Sequence, residues 1–235
     1  MVIGKGLLAK TFSGYEKDDN ILIFASGISN SSSFEEKDQV REKDLLIKTI
    51  STYPEKILIY FSTCSIYDKT KNKDPYIKHK IEIEEIIKHY CKHYLIFRIT
   101  NLIGKTNNKS TFLNYFIDKI LNEEGFKIWK YSKRNIIDAE DMEKICSYII
   151  KCRQFQNTII NIASPYFFSI EEIVRSIEIH LNIKGYYSIT DKGGTPEFNN
   201  EICIGVSKIL GINFDETYFK NILKKYYLVD ELQKK

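Results

Sequence analysis

The chain has 235 residues, 43% of them hydrophobic, and a formal net charge of +4. That length holds one large domain, or one domain with a small lobe, and the apolar share suits a packed core rather than a disordered chain. Lys and Glu are interleaved, as in "FEEKDQVREKD" and "KIEIEEIIKHYCKHY", which reads as solvated helix faces and offers no basic stripe to a nucleic acid. The five cysteines are odd in number and form no C-x-x-C pair, which fits a reduced, cytoplasmic protein without a thiolate metal site. No leader pattern, repeat or run of membrane-spanning length is visible.

The chain opens on "VIGKGLLAK", which sets Gly4, Gly6 and Ala9 in the order G-x-G-x-x-A after a two-residue apolar run. The first Gly allows a tight turn, and the second lets backbone approach a pyrophosphate. The small third residue lets a helix pack against its strand. Lys5, Leu7 and Leu8 complete this candidate cofactor loop, although a ligand-free strand-to-helix turn needs the same glycines. A dinucleotide site usually adds an acid on the ribose about 20 residues on. Here "KTFSGYEKDD" leaves room for only a short helix and a turn before the strand "ILIFAS". The adenine side of the sheet therefore reads as trimmed, with Asp18 and Asp19 either facing a ribose or sitting in a solvated turn. NAD and NADP are not distinguished. After "ILIFAS", Ala25, Ser26 and Gly27 and then Ser29 and Asn30 form a small-residue loop. A cofactor and substrate could lie across it, or it is an ordinary loop.

Residues 35–53 carry Val40, Leu45, Leu46 and Ile50 at helical spacing, and "KILIYFS" at 56–62 is a buried strand. Thr63, Cys64 and Ser65 follow its carboxyl end, where open α/β sheets hold ligands. A helix then begins near Asp74, a cap, and Pro75, suited to a first turn, so Tyr76 and Lys80 stand one turn apart on one face. A phenol is a poor base at pH 7, but a nearby ammonium favours the phenolate, which can exchange a proton with a hydroxyl or ketone. A hydroxyl such as Thr63 can hold the same oxygen. Tyrosine and lysine are common enough here for the pair to arise by chance.

The strand "YLIFRIT" at 94–100 comes next; Ser62 and Ile99, near the ends of their strands, are assigned to the cofactor. Beyond it the sequence predicts a helix at 110–123, a strand at "FKIWKY" and a helix at 139–152. A strand at "TIINIAS", a helix at 169–182, a strand at "GYYSIT" and a helix at 215–228 follow. The alternation predicts a doubly wound parallel α/β fold of Rossmann type, with a small C-terminal lobe over the sheet's carboxyl ends. The division expected is a cofactor domain at 1–105 plus 135–165 and a substrate lobe at 106–134 and 166–235.

These segments resemble the extended short-chain dehydrogenase/reductase family, the NAD-dependent epimerase/dehydratase group acting on nucleotide sugars. "YFSTCSIYD" is similar to its S-[ST]-x-x-V-Y-G, and "DPYIKHK" to its S-P-Y-x-x-S-K. "FRITNLIG", "RNIIDAEDMEKI", "IINIASPYFFSIEEI" and "GVSKILGINF" match later motifs in the family's order. The resemblance implies that Thr63 holds the reacting oxygen, that Tyr76 is the acid/base and that Lys80 activates it and contacts ribose. It further implies that Asn101 and Arg134 meet the nucleotide-sugar substrate, and that the protein pairs as a homodimer.

Three departures shape the expected activity. The opening motif is not the family's usual G-x-x-G-x-x-G, and two strand units are missing. Family dehydratases carry Asp-Glu directly after the Thr, where this chain has Cys64-Ser65, which argues against 4,6-dehydration. Cys64 reads as a small buried thiol rather than an acid. The expectation is an NAD- or NADP-dependent 4-keto reductase or 4-epimerase. The alternative is a catalytically degenerate nucleotide- or sugar-binding regulatory protein, and a nucleic-acid role comes third.

Overall fold

A computed structural model of the chain describes residues 1–28, 35–71, 73–106, 108 and 111–228. Five parallel strands form the central sheet in the order β1 (Val2–Ile3), β2 (Ile21–Phe24), β3 (Ile57–Thr63), β4 (Tyr94–Ile99), β8 (Thr158–Ile162). The middle strands are apolar throughout because both of their faces are covered. On one face, Leu22, Phe24, Leu58, Tyr60 and Ile96 pack against Leu46 of α2 (Glu36–Thr52) and against Ile83 and Ile87 of α3 (Pro75–Tyr90). On the other, Ile23, Ile59, Phe61 and Phe97 pack against Phe12, just past α1 (Leu7–Thr11), and Met142 and Ile149 of α5 (Ala139–Cys152).

The strand order runs one way from β1 to β8, so successive crossovers all step in the same direction. Crossovers α2 and α3 share a face and therefore a hand. The β1–α1–β2 crossover steps the same way with its helix on the opposite face, so its hand is opposite. With no strand beyond β1 among the described residues, this is the geometry left when the outer strand units are missing. It also leaves a crevice, since α1 and α2 depart from adjacent strands on opposite faces.

A second core lies over the carboxyl ends. There α4 (Phe112–Leu121), α6 (Ile170–Leu181) and α8 (Tyr218–Tyr226) gather around Phe126, Ile128 and Ile136. Short strands frame it: β5 (Asn101–Ile103), β7 (Lys133–Asp138) and β9 (Phe167–Ser169) form one sheet, and β6 (Phe126–Trp129) pairs with β10 (Tyr187–Thr190). The remaining helix, α7 (Glu201–Ile209), falls in the range expected for the lobe, yet it buries Cys203 and Val206 in the main-sheet core with α5. The strands β5, β7 and β9 and helix α7 are absent from the sequence reading. Three of the four are three to six residues long, too short to show a period.

The two charged helices differ from the expected solvated faces. Val40, expected inside, is 52% exposed, whereas Glu42 is fully buried. Helical phase explains it: Glu42, Leu46 and Thr49 stand on one face and turn inward together. On α3, Glu84 is likewise buried while Ile81 and Tyr90 face outward. Among the described residues no helix is long and apolar enough to cross a membrane.

Candidate active site

A cleft of about 590 Å³ opens at the carboxyl ends of β1 to β4, beneath α4 and β7. From the glycine loop come Gly6, Leu7 and Leu8; from the turn after β2, Ala25 and Gly27; from β3 and β4, Ser62, Thr63 and Ile99. Tyr76 and Lys80 of α3, Asn101 of β5 and Arg134 of β7 complete the expected set. Gly4, Lys5 and Ser26 are not among the lining residues, and Ser29 and Asn30 lie outside the described residues.

Gly4 serves the turn itself. Its φ is +136°, and a Cβ there would stand 2.4 Å from the Ala25 carbonyl oxygen. Gly6 begins α1 with a φ of −76°, and a Cβ on it would meet nothing within 4 Å. Asp18 accepts backbone hydrogen bonds from Asn20 and Ile21, both at 2.8 Å. It is a turn residue, and both Asp18 and Asp19 precede β2 at its amino end, remote from the cleft. The ribose role left open for them is therefore excluded.

The centre of the cleft is built by β3 and α3. Thr63 ends its strand, and its hydroxyl accepts from the Ser65 amide at 3.1 Å, starting a short 3-10 turn. Asp74 caps α3 by accepting from the Tyr76 amide at 2.9 Å, with Pro75 in the first turn as the sequence predicts. This fixes Tyr76 at the cleft wall, on the same side as the Thr63 hydroxyl. Burial pushes the Tyr76 phenol up, the carboxylates of Glu42 and Asp74 push the same way, and the nearby Thr63 hydroxyl opposes them.

Lys80, 2% exposed, has its ammonium 5.8 Å from the Tyr76 ring centroid. It donates to Glu42 Oε1 at 3.1 Å and to the Tyr60 hydroxyl at 2.8 Å. Tyr60 donates in turn to Glu42 at 2.7 Å, the Ile28 amide donates to Glu42 Oε2 at 2.7 Å, and His79 Nε2 stands 3.1 Å from the same oxygen. Burial would raise the Glu42 carboxyl, but Lys80, His79, Ile28 and Tyr60 outweigh it and hold the group at about 2. A Cβ on Gly27 would stand 2.9 Å from both Lys80 Nζ and Glu42 Oε1, so only glycine lets the loop pass over this pair. The sequence reading missed Glu42, and its phase with Leu46 was the available signal.

The substrate end is cationic and aromatic. Arg134 lines the cleft with its guanidinium 6.0 Å from the Phe112 ring centroid, and it joins none of the ion pairs among the described residues. Burial lowers its pKa, opposed by Asp68. Asn101 donates to the Asn135 carbonyl at 2.8 Å, which places it firmly at the cleft wall. Cys64 is buried and its thiol donates to the Arg98 carbonyl at 3.1 Å. Burial pushes that thiol well up, so it is inert, as the sequence suggests.

Backbone overlap with solved structures is extensive. UDP-glucose 4-epimerase from Thermus thermophilus, a complex with NAD, matches with a TM-score of 0.69 at 12% identity, over 97% of this chain and 83% of that one. UDP-N-acetylglucosamine 4-epimerase from Methanobrevibacter ruminantium M1, in complex with UDP-N-acetylmuramic acid, gives 0.68 at 18% identity, over 98% and 83%. MoeE5 in complex with UDP-glucuronic acid and NAD gives 0.73 at 12% identity, over 97% and 85%. At such identities the likeness shows the fold. No curated protein matches the sequence. The family model described as "NAD dependent epimerase/dehydratase family" matches residues 7–163, and the chain belongs to that family.

Proposed function

We propose that this protein is an NAD- or NADP-dependent oxidoreductase acting on a nucleotide-activated sugar, as a 4-keto reductase or a 4-epimerase. The observation that carries the reading is that Thr63, Tyr76 and, one helical turn on, Lys80 line a single cleft that the glycine loop also enters. The residues fit the nicotinamide half of a dinucleotide: Gly27, Thr63, Tyr76 and Lys80 line one cleft, and a Cβ-free surface at Gly6 admits close approach. When bound, the nicotinamide supplies or accepts a hydride at a sugar carbon. Thr63 holds the sugar oxygen, Tyr76 gives or takes its proton, and Lys80 contacts the nicotinamide ribose. Arg134, free of ion pairs among the described residues, suits a diphosphate through its planar fork of donors. Asn101 lines the same cleft. The complexes of similar structures with NAD and with UDP-sugars support this assignment of the two ends.

The test is titration with NAD(H) and NADP(H) followed by a screen of nucleotide sugars and their 4-keto forms. Hydride transfer should be seen with one of them. Tyr76→Phe should abolish turnover and leave nucleotide binding intact. A second reading, a binding or regulatory protein without chemistry, draws on the exposed β1 edge, where no ribose-reading acid stands among the described residues. It requires nucleotide or sugar binding with no hydride transfer to or from any of these substrates.

A further inference from the structure

The pair Tyr76 and Lys80 has a companion that the family pattern does not contain. In S-P-Y-x-x-S-K the residue before the lysine is a serine, and here it is His79, whose ring meets Glu42. Glu42 and His79 thus form one buried unit behind the lysine, with Tyr60 and the Ile28 amide filling the remaining acceptor positions of the carboxylate. Resting on the reading above, we propose that Glu42 is a positioning residue that neutralises Lys80 and thereby keeps Tyr76 a proton donor, so that the site is built to reduce a carbonyl.

An unpaired lysine one turn from a tyrosine favours the phenolate, which is the form a base needs to start from an alcohol. Here the ammonium is matched by a carboxylate at 3.1 Å, fully buried and out of reach of solvent screening. The groups facing this point are Glu42 from α2, His79, Lys80 and Glu84 from α3, Tyr60 from β3 and the capping Asp74. Glu84 is matched by Arg98 of β4, so the charges left to act on Tyr76 are Lys80 against Glu42 and Asp74, a field that resists a further negative charge on the phenol. In the reaction this favours, the carbonyl carbon gains a hydride from a reduced nicotinamide, which leaves oxidised. The carbonyl oxygen takes the Tyr76 proton, and solvent in the cleft restores it.

The experiment reads the phenol directly and needs neither cofactor nor substrate, so it fails independently of the reading it deepens. The absorbance difference at 295 nm between the wild type and Tyr76→Phe isolates one phenol among 16 tyrosines across a pH titration. The same subtraction is made in Glu42→Gln and Glu42→Asp backgrounds. Glu42→Gln should lower the Tyr76 midpoint by at least one pH unit, and Glu42→Asp should leave it near the wild-type value. Glu42→Gln combined with Lys80→Met should return the midpoint to the wild-type position, because the two charges leave together; it also removes the unpaired buried ammonium if the single variant does not fold. A midpoint unmoved or raised by Glu42→Gln would overturn the proposal, as would a double variant whose midpoint stays one unit or more from that of the wild type.

Discussion

Arg98 on β4 and Glu84 on α3 are joined at two points, Nε to Oε1 at 2.9 Å and Nη2 to Oε2 at 2.5 Å. Ser62 donates to the same carboxylate at 2.5 Å, and Arg98 also donates to the Tyr67 hydroxyl at 2.7 Å, which reaches Asn161 on β8. The cluster ties α3 to three strands directly beneath Thr63. Glu84 is buried, so removing it strands a guanidinium that solvent reaches only in part. Glu84→Ala should lower the unfolding free energy by about 3–5 kcal/mol, the usual cost of breaking a buried pair. Urea denaturation checks this, and Glu84→Ala with Arg98→Leu should recover part of the loss.

The two opening glycines should separate folding from binding. At Gly4 a side chain meets backbone at 2.4 Å with φ at +136°, so Gly4→Ala should cost about 2 kcal/mol or more and lower the melting temperature. At Gly6 a Cβ finds open space, so Gly6→Val should leave the melting temperature within a few degrees. If a pyrophosphate approaches the backbone there, Gly6→Val weakens nucleotide binding roughly tenfold or more, measured by calorimetry. Unchanged affinity would remove Gly6 from the site.

What was legible in the sequence follows from period and end signals. The strands β2, β3 and β4 are unbroken apolar runs, and α3 announces itself through Asp74 and Pro75, which is why Thr63, Tyr76 and Lys80 can be placed from the sequence alone. The charged helices misled because charge was read as exposure. Glu42 and Glu84 are buried, each answering a basic group on a different element, and no local pattern in the chain encodes such a long-range partner. Arg134 was found only through the family resemblance, since β7 begins with two basic residues and shows no alternation at its start. Asp18 and Asp19, left open between a ribose and a turn, precede β2 at its amino end, with Asp18 holding the turn, because distance along the chain does not say at which end of a strand a residue falls.

Cysteine chemistry offers a separate check on the site. Cys64, Cys146 and Cys203 are buried, whereas Cys91 and Cys152 are partly exposed. Burial pushes the Cys91 thiol to about 12 and that of Cys203 to about 11, so both are slow nucleophiles at neutral pH. Iodoacetamide at pH 8 should therefore label Cys152 first in the native protein, and Cys64 only after unfolding, read by peptide mass spectrometry. Cys64→Ala should keep turnover within a few-fold of the wild type. A loss of a hundredfold or more with an intact fold would return Cys64 to the catalytic set.

Glu42 also leaves a mark on stability against pH. Its carboxyl is held at about 2 in the folded chain and returns to an ordinary value near 4.5 on unfolding. A group depressed in the folded state contributes stability that is fully present above the unfolded value and is lost as pH falls toward the folded one. The window is therefore from about pH 5 down to pH 2, and at about 1.4 kcal/mol per unit the contribution is on the order of 3 kcal/mol. Urea midpoints measured at pH 6, 4 and 3 should fall steeply in the wild type. The double variant Glu42→Gln, Lys80→Met should fall less steeply over the same range, because the titrating carboxylate is gone. Parallel slopes would mean that Glu42 takes up its proton over the same pH range folded and unfolded, and that Lys80 does not hold it charged.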